Sequence, residues 1–98
     1  MENQEQQPKP RFALGQTVAT PGAIEALART GQDPAEFLTR HVTGDWGLLE
    51  DEDRQENEFS VERGFRILSV YKLLDETRIW VISEADRSAT TILLPQEY

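Results

Sequence analysis

The chain has 98 residues, 38% of them hydrophobic and 29% charged, which fits one small folded domain rather than two, or an unfolded polar chain. Its formal net charge of -8 argues against nonspecific binding to nucleic acid, which depends on neutralising phosphates with Lys and Arg. With no cysteine there is no disulfide, thiolate nucleophile or cysteine zinc site, and no cofactor or metal is implied.

Residues 1–10, MENQEQQPKP, are polar and carry two prolines, so a disordered lead-in is expected, leaving 11–98 as a single domain. They lack the basic-then-apolar pattern of a signal peptide. No apolar run in the chain approaches the roughly 20 residues of a membrane span, so a cytoplasmic protein is expected. Phe12, Leu14 and Val18 alternate with smaller or polar residues, as in a short strand. Thr20-Pro21 is a helix-start signal, with Thr as the cap and Pro where its missing N–H costs nothing. Ile24, Leu27 and Ala28 then follow at helical spacing up to Gly31. Asp33-Pro34 repeats the signal for a second helix, with Phe37, Leu38, His41 and Val42 on one side and Gly44 as the closing glycine.

Asp45-Trp46-Gly47 reads as a turn, and from Leu48 to Glu62 the chain becomes strongly acidic. Apolar residues occur only at the ends of that stretch, which predicts a solvent-facing helix stopping near Gly64. Residues 65–95 are the most apolar stretch. Three runs rich in Ile, Val, Leu and aromatics, broken at 75–77 and 84–88, predict an antiparallel meander ended by Pro95. Phe65, Ile67, Ser69, Tyr71 and Leu73 fall on one face of its first strand, and Leu68, Val70 and Leu74 on the other. Ile67, Val81 and Ile82 are expected in the core. The fold class is α+β: an antiparallel sheet of three to four strands, the first strand being the optional fourth, with two or three short helices packed on one face.

The segments LGQTVATPGAIEAL, RHVTGDWG and ISEADRSATTILLPQEY resemble a family of small bacterial proteins, many of them encoded on plasmids and other mobile elements. Members are labelled plasmid-related or, in some cases, are tied to the modification subunit of type I restriction systems. The resemblance implies a bacterial, mobile-element setting and carries no catalytic residue with it.

Four groups of side chains are candidates for function. His41, the single histidine, has the right ordinary pKa for a general base, yet its place on an apolar helix face equally suits a packed histidine. Asp45 and Trp46 suit a ligand-contacting corner in which the acid orients His41, or else a turn with an aromatic plug. Glu84, Asp86, Arg87, Ser88, Thr90 and Thr91 form the densest polar cluster beside the apolar runs. They fit a phosphate-facing site built on Arg87, or a hairpin loop in which Asp86 and Ser88 turn the chain. Asp51 and Asp53 stand in the acidic run, which lacks the ligand spacing of a calcium loop.

Two functions follow. The first is a non-catalytic protein-binding or regulatory accessory module of bacterial mobile elements, meeting its partner through Asp45, Trp46, Asp51, Asp53, Asp86, Arg87 and Ser88. Its partner is another protein, with nucleic acid disfavoured by charge and no membrane involved. The alternative is a small metal-independent ribonuclease with a barnase-like or RelE-like fold, using His41, Glu84 and Arg87. These two differ in whether those three side chains converge on one cleft.

Overall fold

The computed structural model describes residues 9–98. In chain order these form β1 (Gln16–Ala19), α1 (Pro21–Thr30), α2 (Pro34–Val42), α3 (Asp51–Arg63), β2 (Ile67–Lys72), β3 (Arg78–Ser83) and β4 (Ala89–Leu93), followed by a 3-10 turn at Pro95–Glu97. The expected lead-in of residues 1–10 falls almost wholly outside the described residues. From Arg11 onward the backbone is held, because Arg11 N–H donates to the Val42 carbonyl at 2.8 Å.

The helix-start signals act as expected. Thr20 accepts from Ala23 N–H, Asp33 accepts from Ala35 N–H, and each is followed by its proline. Gly31 takes the left-handed conformation that closes α1, whereas α2 is capped by Thr43, one residue before the expected glycine. The strand expected from Phe12 is shorter than its alternation suggests. Gly15 breaks the extended run with a φ of 67°, lying so close to the Arg87 and Ser88 backbone that no side chain fits, and β1 begins only at Gln16.

The sheet has the order β1-β4-β3-β2. The meander is antiparallel throughout, but β1 joins β4 in parallel, so the four-stranded sheet is mixed rather than wholly antiparallel. One face carries Ile67, Tyr71, Ile79, Val81 and Ile92. Ala23, Ala26 and Leu27 of α1 and Phe37 of α2 pack on it to form the core. The opposite face carries Leu68, Val70, Trp80, Ile82 and Leu93. Tyr98 leans over part of it, with its ring 5.4 Å from that of Trp80 and its hydroxyl accepting from Arg66.

Helix α3 does not simply face solvent. Its inner side presents two small polar residues, Asn57 and Ser60, both buried. What they meet is the edge of β2, where the Asn57 amide donates to the Leu68 carbonyl at 2.7 Å and accepts from Leu68 N–H at 3.3 Å. The next outward-facing residue, Val70, is also taken. Its N–H donates to the Trp46 carbonyl and its carbonyl accepts from Leu48 N–H, around Gly47, which lies too close to Val70 to bear a side chain. The β2 edge is therefore closed by a side chain and by a short stretch of backbone.

Candidate functional site

His41 is fully buried beneath the Phe12 and Trp46 rings, at centroid distances of 5.3 and 6.1 Å. Its two ring nitrogens bond to serines of neighbouring strands: Nδ1 lies 2.7 Å from Ser69 Oγ, and Nε2 lies 2.9 Å from Ser83 Oγ. The chain continues from Ser83 to Thr90 at 2.6 Å, and Thr90 donates to the Leu14 carbonyl at 2.7 Å. That carbonyl fixes every proton behind it, because each hydroxyl has only one to give. Thr90 spends its proton on Leu14, so Ser83 must donate to Thr90 and accept from His41. Nε2 therefore carries the ring proton, and Nδ1 accepts from Ser69. Burial pushes the imidazole down to about 4, and the charge of Arg87 adds to that effect.

Arg87 is the second centre. It sits at the β3–β4 turn with a φ of 59°. Its guanidinium donates to the carbonyls of Phe65 (2.7 Å), Glu84 (2.9 Å), Ala85 (3.2 Å) and Ser60 (2.9 Å). It also lies 5.4 Å from the centre of the Phe12 ring. Arg87 therefore ties the last turn of α3 to the hairpin, and Phe12 stands between it and His41. Glu84 turns the other way, to Arg66 at 3.4 Å. Asp86 accepts from Ser88 N–H at 3.0 Å, the local turn that its sequence position suggests, and Asp86 and Ser88 are both exposed. Of the hydroxyls in that cluster, Thr90 faces the core and Thr91 the opposite side of the sheet.

The turn at residues 45–47 follows its plain reading. Asp45 pairs with Arg40 at 2.7 Å, accepts from Gly47 N–H, and is held below the usual carboxylate range chiefly by that arginine. It does not orient His41, whose nitrogens are taken by the two serines. Trp46 is buried, and its indole N–H reaches Glu58 at 3.0 Å. Glu58 also accepts from both terminal nitrogens of Arg11 (3.0 and 2.7 Å).

Asp51 and Asp53 are exposed in the first turn of α3. Asp53 lines a cleft of about 250 Å³ together with Leu49, Glu56, Asn57, Ser60, Arg66 and Leu68. Exposed Leu48, Phe59 and Phe65 belong to the same part of the chain. Sequence reasoning missed Asn57, Ser69 and Ser83. The signal available for the serines was their place among apolar neighbours within predicted strands, where a small hydroxyl needs a partner. Comparison of the chain with family models, with curated proteins and with solved structures finds no match. Among the described residues, no helix is long and apolar enough to cross a membrane.

Proposed function

We propose that the chain is a non-catalytic protein-binding or regulatory accessory module of bacterial mobile elements. The observation that carries this reading is the state of His41: it is fully buried, with both ring nitrogens bonded within the fold. Arg87 is likewise occupied by four backbone carbonyls rather than held free for a phosphate. What remains open to other molecules is surface. The acids in the first turn of α3, Asp51 and Asp53 among them, are exposed, as are Leu48 just before the helix and the Phe59–Phe65 pair toward its other end. Exposed apolar side chains, with a cluster of acids at one end of the helix, suit a protein partner that brings apolar contact and positive charge. The mobile-element setting rests on the family resemblance of the three segments quoted above.

The competing reading, a metal-independent ribonuclease acting through His41, Glu84 and Arg87, makes the opposite demand on one experiment. Purified protein is incubated with RNA over a broad pH range, and we expect the RNA to remain intact. Reproducible cleavage, lost in His41→Ala or Arg87→Ala variants that keep the wild-type circular dichroism, overturns the binding reading. Under that reading the double variant Asp51→Lys, Asp53→Lys weakens association with a partner isolated from the host, mainly through a slower and more salt-dependent on-rate.

A further inference from the structure

The two edges of the sheet differ. On β2 the outward-facing backbone groups of Leu68 and Val70 are all bonded, to Asn57 and to Trp46 and Leu48. On β1, Gln16 N–H reaches the Ser88 carbonyl and Thr20 N–H reaches the Ile92 carbonyl. In a parallel ladder that phase turns Gln16, Val18 and Thr20 toward β4 and leaves the N–H and C=O of Thr17 and Ala19 pointing outward. Among the described residues neither of those two N–H groups has a hydrogen-bond partner. The strand reads Gln-Thr-Val-Ala: it has no charge, no proline and no bulge, the devices that usually blunt an edge.

A second observation falls at the same place. A cleft of about 200 Å³ lies between β1 and α2, lined by Thr17, Val18, Ala19, Pro34, Leu38 and Ile92. Thr17 and Ala19 pair in register with the buried Thr90 and Ile92, so their side chains lie on the helix side of the sheet. A strand added beside β1 would place every second side chain on that side, over the cleft. We propose that the β1 edge is a strand-addition site, taking an extended, Lys- or Arg-flanked segment of another protein with one aliphatic side chain seated between β1 and α2.

Charge selects this occupant over a second copy of the chain. Two copies bring -8 against -8. Asp33 and Glu36, in the turn that opens α2 beside Pro34, have no cation within 4 Å among the described residues. A cationic segment relieves that imbalance, while backbone bonds supply the affinity and the cleft supplies the choice of side chain. The inference rests on the binding reading above and names a surface and a partner chemistry for it.

The test is a titration of ¹⁵N-labelled full-length protein with a synthetic Val-Thr-Val-Thr-Val peptide flanked by lysines, alongside a glutamate-flanked counterpart. In the peptide-free protein the Thr17 and Ala19 amides should exchange rapidly with solvent. The lysine-flanked peptide should protect both and shift Leu38, and the glutamate version should bind on the order of tenfold more weakly. Thr17→Pro removes an outward N–H without touching the β1–β4 ladder and should abolish the response. Should that variant fail to fold, Thr17→Lys, which lays a charged chain over the cleft, serves the same purpose. Protection of both amides before any peptide is added, shifts confined to α3, equal binding of the two peptides, or no response at millimolar peptide would each overturn the proposal. RNA cleavage, which this titration does not report, is what would bring down the binding reading itself.

Discussion

At the scale of single residues, His41 shows how a titratable side chain is built into the fold, buried with both ring nitrogens bonded to serines. Its lowered pKa has a cost that can be measured. Above its ordinary value of 6.5 the ring is neutral in both the folded and unfolded chain. As the pH falls from there toward 4, the unfolded chain takes up a proton that the fold refuses, and stability drops by about 3 kcal/mol in all. We expect urea midpoints to fall across that window in the wild type and to fall much less in His41→Gln, whose amide can accept from Ser69 and donate to Ser83 without titrating. Equal pH profiles for the two proteins would refute the assignment of the slope to His41. The placement of His41 on the apolar side of a helix was legible in the sequence. Its partners were not, because Ser69 and Ser83 come from strands whose alternation says which face they occupy but not which helix residue lies above them.

At the scale of elements, the start signals of α1 and α2 were readable because each is a local bargain between a cap, a proline and the first free N–H groups. Helix α3 faces solvent along most of its length, as expected, and ends at Gly64; its one buried side was not legible, for an equally physical reason. A helix that packs on a sheet face needs an apolar stripe, but one that packs on a sheet edge meets backbone and needs hydrogen-bonding side chains. Asn57 and Ser60 are therefore its buried side, while their neighbours Glu56 and Glu58 stay exposed. Replacing Asn57 by Ala leaves the Leu68 N–H and C=O without partners, at a cost of about 1–3 kcal/mol. Asn57→Asp, despite its similar shape, should be no better, because it sets a carboxylate oxygen against the Leu68 carbonyl. Chemical denaturation of the two variants checks this, and a wild-type midpoint for Asn57→Asp would mean that the amide is not what holds the edge.

At the scale of the whole molecule, the meander and its buried face follow from period-two patterning: Ile67 and Val81 are buried on the helix-covered face, and Ile82, one residue on, is buried on the other face. Ile67→Ala should cost about 2–5 kcal/mol, through lost burial and the cavity left behind, and equilibrium unfolding measures it directly. An unchanged midpoint would remove Ile67 from the core. The parallel docking of β1 was not legible, because residues near one end of the chain pair with residues near the other and nothing local encodes that choice. The difference between the edges also sets what kind of assembly this molecule permits. Growth of a sheet from molecule to molecule needs two acceptor sides on every unit, one to join and one to be joined. With β2 occupied at Leu68 and Val70, the β1 side is the more open of the two. A strand that pairs with β1 would make a five-stranded unit, and passing the pairing on through β2 would first have to displace Asn57 and the Trp46–Leu48 backbone from Leu68 and Val70.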